Sequence, residues 1–226
     1  MSSNYNEFPK FDTLRRGAIL GSIVHAVMLC RYPELSHEQS WDGTNYSIQD
    51  SMGSRGTIAF RGAKAVGVFF DKNSPRNPFL SKEPYDPDRF FRGMPGDLLP
   101  LAGEEALQYV LDEYKGKTSP IITAAFWTEG ESLAAAEEWP PVFDNGAHLI
   151  RIQLMDTNTA LQEWRAQYEM SAEQVALAQT LFQRKIAARE GPVELAADER
   201  QFLAGQAESP DGLDEALESL KEIGIG

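Results

Sequence analysis

The chain has 226 residues, of which 42% are hydrophobic, so it is long enough to bury a core of ordinary size. Its formal net charge of −13 at pH 7 argues against nucleic acid and anionic lipid membranes as partners, because both attract concentrated lysine and arginine. Cys30 is the single cysteine, which excludes an internal disulfide and is typical of a reducing compartment. These properties predict an acidic, cytoplasmic, globular protein with neither metal nor cofactor.

The charge is unevenly distributed along the chain. Residues 189–226 hold ten acidic side chains against three basic ones, whereas residues 55–92 hold eight basic side chains against four acidic ones. The C-terminal part is therefore predicted to present a negative surface. The positive segment contains arginines, whose planar guanidinium groups suit carboxylate and phosphate.

The first predicted element is a long apolar helix. Asp12 or Thr13 can cap it, and it is expected to extend to about Arg31. Because it is apolar on nearly every side, it should be central to the fold. Gly17 and Gly21 lie one turn apart and would let another element approach the helix backbone closely.

The middle of the chain has the pattern of short strands. Two apolar runs joined by a four-residue link that contains glycine predict a β-hairpin, and two further runs predict strands. A polar segment, residues 34–55, is expected to be mostly loop. A proline-rich segment, residues 73–96, is expected to be a long loop that either has a function or is packed by its own aromatic side chains. The predicted strands are Thr57–Phe60, Ala65–Phe70, Pro120–Trp127 and Ala147–Leu154, with a short one near Tyr46–Gln49.

Helical patterns dominate the rest. Glu104–Tyr114 is predicted to be a helix ended by Gly116. Ser171 and Gln174 form a capping-box pattern that opens a helix to about Arg189, and helices are also expected near 161–168, 195–203 and 213–223. The predicted fold class is α+β: a small mixed or antiparallel sheet with covering helices, forming a core domain of residues 1–156, and a C-terminal helical subdomain of residues 157–226.

One candidate site lies around residues 41–55. Its mixture of aromatic and hydrogen-bonding groups suits a small-molecule or peptide pocket, but it equally suits a tight loop in which Asp and Asn make turn hydrogen bonds. Arginines and an aspartate from the flanks of the hairpin would complete an anion-handling site. The candidate residues are Trp41, Asp42, Asn45, Tyr46, Asp50, Arg55, Asp71 and Arg76.

A second candidate combines acidic and aromatic residues, namely Glu129, Glu131 and Trp139. Tryptophan often contributes strongly to binding energy at protein interfaces, and carboxylates steer the approach of a basic partner. An ordinary surface loop explains the same residues.

Catalytic motifs are lacking in the sequence. It has neither a phosphate-binding loop nor a nucleophile-elbow motif, and the three histidines, which include His25 on the apolar helix, are far apart. His25 is therefore interpreted as a core histidine.

These observations favour a non-enzymatic binding protein of the inhibitor, antitoxin or immunity kind that neutralises a basic protein partner. The alternative is a small-molecule enzyme or ligand-binding protein, such as an anion-handling hydrolase or transferase, with its site around Trp41–Arg55. A third hypothesis is self-association through the apolar stripe of Leu213, Leu217, Leu220 and Ile223.

Overall fold

The computed structural model describes residues 7–81, 84–189 and 191–226. The strands in this part of the chain are β1 (Gln39–Asp42), β2 (Asn45–Gln49), β3 (Arg55–Arg61), β4 (Lys64–Phe70), β5 (Leu111–Tyr114), β6 (Lys117–Pro120), β7 (Ala124–Glu129) and β8 (Ser132–Ala134). The main sheet has six of these strands in the order β1–β2–β3–β4–β7–β8, and β5 and β6 form a separate two-stranded sheet. The predicted α+β class is confirmed.

The helices follow the same chain order and concentrate in the C-terminal third. The long first helix and the last four have between 10 and 19 residues, whereas the two in the middle have six each. They are α1 (Phe11–Leu29), α2 (Leu99–Glu104), α3 (Trp139–Asp144), α4 (Thr157–Gln167), α5 (Ala172–Ala187), α6 (Ala197–Gln206) and α7 (Pro210–Glu222). None of the helices in the described ranges is long and apolar enough to cross a membrane.

The chain forms two compact units. The first consists of residues 7–12 and Thr44–Arg151, and the second of Thr13–Gly43 and Ile152–Gly226. The second unit therefore includes residues 13–43 as well as the C-terminal helices, a grouping that the sequence-based boundary at residue 156 does not anticipate. That boundary itself stays a prediction.

The first unit is organised around the antiparallel β3–β4 hairpin. Its register pairs Arg61 with Lys64, and Gly62 in the turn has a φ of 63°, which a two-residue hairpin turn of the primed type requires. The hairpin predicted from the sequence is confirmed. Gly67 lies beneath the ring of Phe126 in β7, where a Cβ would come within 2.4 Å of the ring, so the strand cannot carry a larger residue there.

Two predicted elements of the first unit are wrong. Residues 104–114 do not form one helix: α2 ends at Glu104, a 3-10 helix covers Ala106–Tyr109, and β5 follows. Gly116 does not end a helix but forms, with Lys115, the turn of the β5–β6 hairpin; both have positive φ, 76° and 52°. Because glycine is favoured both after the end of a helix and in a hairpin turn, the sequence at Gly116 does not distinguish the two structures.

The second wrong element is the predicted strand Ala147–Leu154. Ala147–Ile150 is a 3-10 helix, entered through Gly146 at a φ of 147°. Its backbone groups pair locally, since the amide of Leu149 donates to the carbonyl of Gly146 at 3.2 Å. The weak alternation of these residues therefore reflects a short helical turn.

The boundaries of two further segments differ from the prediction. The strand predicted at Pro120–Trp127 begins later, at Ala124. Segment 34–55 is more regular than the predicted loop, because it contains a 3-10 helix, β1 and β2.

The core of the second unit forms around α1. All residues of α1 from Gly17 to Leu29 are buried, as the apolar pattern predicted. Both glycines act as expected: the backbone of Gln153 packs directly on Gly17, and the ring of Trp164 in α4 packs on Gly21. The capping box of α5 is present as predicted, with the side chains of Ser171 and Gln174 each bonded to the backbone of the other.

The apolar stripe of the last helix packs into this same core. Leu220 and Ile223 are buried, and Leu213 and Leu217 are partly buried against the core cluster. The stripe is thus used within the unit. This packing does not test the hypothesis of self-association, but the apolar stripe is covered within the unit and is not an exposed surface for a second copy.

Candidate functional site

The polar face of α7 is strongly acidic. At 3.6 residues per turn, its five carboxylates fall within an arc of about 100° around the helix axis. The five residues are Asp211, Asp214, Glu215, Glu218 and Glu222. All five are exposed, and Lys221 borders them. Within the described ranges, the first four of these residues form no ion pair.

The last of these carboxylates joins α7 to β1 inside the second unit. The backbone amide of Trp41 donates to Oε2 of Glu222 at 2.7 Å. Burial raises the pKa of Glu222, the hydrogen bond from Trp41 opposes this, and the nearby charges of Glu218, Asp42 and Glu215 raise it further. Asp42 therefore extends the negative field of the helix. We call the exposed carboxylates of Asp42 and of the five α7 residues the acidic surface.

Trp41 lies at the edge of the acidic surface with its ring half-buried. Its Nε1 donates to Oγ of Ser22 at 2.7 Å, and the Ser22 hydroxyl in turn donates to the carbonyl of Ala18 on α1. The ring also packs against the core of the second unit. The indole is held in one orientation, so an aromatic surface next to the carboxylates is already in place before any partner arrives.

The other residues predicted around residues 41–55 belong to the first unit and have structural roles there. Nδ2 of Asn45 donates to Oε2 of Glu105 at 2.8 Å, and Tyr46 is fully buried. Oδ1 of Asp50 accepts from the amides of Met52 and Ser54 at 2.9 and 2.8 Å, which is the turn chemistry that the loop interpretation predicted. Each of the three side chains is thus engaged in contacts of its own within the described part of the first unit.

The residues flanking the hairpin are also engaged. Arg55 pairs with Asp112 at 3.1 Å, and its guanidinium lies over the ring of Phe70. Asp71 is buried, and its Oδ1 accepts from the amide of Asn73 at 2.8 Å. Both side chains stabilise the ends of strands in the first unit.

Arg76 is the member of the predicted set that lines a cavity. Its two Nη atoms bind the two carboxylate oxygens of Glu137 at 2.5 and 2.7 Å, and Nη1 also donates to the carbonyl of Thr123 at 3.2 Å. The cavity has a volume of about 300 Å³, and Arg89 and Arg92 line it as well. The sequence analysis did not single out these last two arginines; their signal was the local excess of positive charge in residues 55–92.

The second predicted acidic cluster is not a combined surface. Trp139 is 1% exposed, and its ring packs against Phe8 and Phe126, so it is part of the core. Glu129 and Glu131 are exposed at the turn between β7 and β8. They therefore lack the neighbouring tryptophan that the hypothesis required.

His25 is a core residue, as the sequence suggested. It is 1% exposed, and its Nε2 has no hydrogen-bond partner among the described residues. Burial lowers the pKa of His25 to about 4, so the imidazole is neutral in the folded protein at pH 7. Among the described residues, no three His, Cys, Asp or Glu side chains are grouped as metal ligands would be.

Comparisons with protein-family models, with curated proteins and with solved structures find no match to this chain. The fold class is α+β, and among the described residues the acidic surface of the second unit and the arginine-lined cavity of the first each have a defined chemistry.

Proposed function

We propose that the chain is a binding protein of the inhibitor, antitoxin or immunity kind, and that it neutralises a basic protein partner through the acidic surface. The observation that carries the proposal is the alignment of the α7 carboxylates on one stripe, continued by Asp42 and bordered by the fixed ring of Trp41.

Stability of the helix accounts for only part of this stripe, because an acidic side chain is favourable in the first turn, where Asp211 lies, but not further along the helix. Asp211 and Glu215, Asp214 and Glu218, and Glu218 and Glu222 are each four residues apart. Like charges at this spacing destabilise a helix by roughly 0.2–0.5 kcal/mol for each pair. The raised pKa of Glu222 has the same cause in part, since three neighbouring carboxylates oppose its ionisation. A cationic partner would relieve this repulsion, because it supplies counter-charges beyond those of Arg200 and Lys221, which line a cavity together with Asp214 and Glu218.

Trp41 gives the surface more than charge. Tryptophan is enriched among the residues that contribute most to binding, and one that is already held by a hydrogen bond loses little entropy when a partner packs on it. The carboxylates would speed the approach of a basic protein, and the indole would then contribute to how long the complex lasts. This division of roles fits a protein that must capture a partner quickly.

The test compares two variants with the same change of net charge. The first replaces three α7 carboxylates (Asp214→Asn, Glu215→Gln, Glu218→Gln), and the control replaces three exposed carboxylates of the first unit (Glu129→Gln, Glu131→Gln, Glu138→Gln). Each is used beside the unchanged protein in quantitative affinity purification from the native host at low and at high salt.

We expect one basic protein to be retained by the unchanged chain and by the control, and to be depleted about tenfold or more by the α7 variant. Retention should also fall at high salt, because ions screen exposed charges. Equal depletion by both variants would mean that net charge alone drives the capture, and retention of no basic protein would remove the proposal.

A further inference from the structure

The first unit contains a positively charged cleft that the acidic surface does not explain. Arg76, Arg89 and Arg92 line one cavity of about 300 Å³, and Glu137 is the single carboxylate among the described residues that line it. In a chain with a net charge of −13, three guanidinium groups around one cavity are a local reversal of the overall charge.

The three arginines differ in how firmly they are held. Arg76 is fixed by its two bonds to Glu137, and this carboxylate neutralises its charge. Arg89 stacks on the ring of Phe90, with its guanidinium carbon 4.6 Å from the ring centroid, and within the described ranges it forms no ion pair. Arg92 pairs with the carboxylate of Asp86 at 3.8 Å, and both side chains are more than half exposed, so solvent weakens this pair. Arg89 is therefore without an ion pair among the described residues, and Arg92 is only weakly neutralised.

A second cavity continues the cleft on the other side of Arg76 and Arg89. Its volume is about 270 Å³, and its remaining lining is mostly apolar, with three prolines and the ring of Tyr85. The Tyr85 hydroxyl bonds to the backbone of Pro120 and Ile122, and burial raises the pKa of Tyr85 to about 12. The phenol therefore stays protonated, and its ring forms a fixed wall of the second cavity.

The cleft is formed by the proline-rich segment, residues 73–96, whose packing by its own aromatics the sequence analysis considered. Phe90 is buried in the core of the first unit, and Phe79 and Tyr85 each pack edge-on against Tyr114. Oγ of Ser74 donates to Oδ1 of Asn145 at 2.6 Å and accepts from the amide of Arg76. The described parts of this segment, residues 73–81 and 84–96, are thus anchored at several points, and the arginines project from a defined backbone.

We propose that this cleft binds a small molecule that carries a phosphate monoester. A phosphate dianion matches the two positive charges of Arg89 and Arg92, and its oxygens accept the paired N–H groups that guanidinium presents. The cavity volume is at the lower end of the range of small-molecule sites, and the apolar second cavity accommodates the organic part of the ester. The site is on the first unit, and it stands independently of the proposed protein partner.

The experiment is a titration of the ¹⁵N-labelled full chain, followed by NMR at the backbone amides and the arginine Nε–H groups. The probes are inorganic phosphate, phenyl phosphate, benzoate and hexaglutamate. We expect saturable shifts at Arg76, Arg89 and Arg92, with phenyl phosphate binding about tenfold more tightly than inorganic phosphate because its ring enters the second cavity. Binding should weaken below about pH 6, where the phosphate dianion takes up a proton.

The matched variants carry equal charge changes in the same unit. Arg89→Gln with Arg92→Gln should weaken phenyl phosphate binding about tenfold or more, whereas the control, Arg61→Gln with Lys117→Gln, should leave it unchanged. All four side chains are exposed, so both proteins should fold. Equal weakening by both variants, shifts spread over all surface cations, or tighter binding of benzoate or hexaglutamate than of phenyl phosphate would each overturn the proposal.

Discussion

Gly17→Ala is expected to lower the free energy of unfolding of the second unit by about 3 kcal/mol or more, as forced overpacking of a core does. An added Cβ would lie 1.8 Å from the backbone oxygen of Gln153, with no flexible side chain between them that could move aside. The segment that contains Gln153 must therefore shift away from α1. Alanine is a better helix former than glycine by about 1 kcal/mol, so helix propensity alone would make Gly17→Ala more stable. A loss of stability must therefore come from the contact with Gln153.

A second glycine in the same unit provides the control. Gly205 lies in the last turn of α6, where a Cβ would meet no atom within 4 Å. Gly205→Ala should therefore leave stability unchanged or raise it by up to about 1 kcal/mol. Denaturant unfolding of the two variants measures the difference directly. A Gly17→Ala protein as stable as the Gly205→Ala protein would show that α1 and Gln153 are not in contact.

The second large effect concerns pH. The imidazole of His25 is neutral in the fold, with a pKa lowered to about 4 by burial and by the nearby His37, and raised in part by a hydrogen bond to the backbone of Ser36. In the unfolded chain, its pKa returns to about 6.5. The unfolded state then binds the additional proton as the pH falls through 6.5, so stability is lost on acidification, and the loss continues until the pH reaches about 4.

Between pH 7 and pH 5, this single group should reduce the free energy of unfolding by about 2 kcal/mol. His25→Leu removes the titrating group and the buried nitrogen that lacks a partner, so it should abolish that part of the pH dependence. The control is His148→Leu, at a partly exposed histidine of the first unit. Denaturation curves at several pH values compare the three proteins. The same slope for the unchanged chain and for His25→Leu would contradict a neutral, buried His25.

Local signals predicted the elements that depend on few residues. The β3–β4 hairpin followed from two apolar runs and the turn at Gly62, α5 from the capping box at Ser171, and the centrality of α1 from its apolar surface. The same kind of signal failed at Gly116, where one glycine fits two kinds of turn. The segment after Gly146 failed because a short 3-10 turn leaves no periodicity that distinguishes it from a strand.

The candidate sites needed contacts that no local pattern contains. The sequence named Trp41 and Asp42, and separately counted the acidic residues of the C-terminal part, but only the packing of α7 beside β1 brings these groups together. In the same way, Arg76 was named, but only the folded structure shows that Arg89 lines the same cavity. Composition predicted which charges are in surplus, and tertiary structure determines which of them are neighbours.

Hydrogen–deuterium exchange of the chain, with and without the basic protein that it is proposed to bind, tests the central claim most directly, because it reports which surface that protein covers. We expect slower exchange at Gln39–Asp42 and Pro210–Glu222, which carry the acidic surface and Trp41. Unchanged exchange in both of these segments, with protection confined to the first unit, would contradict the account.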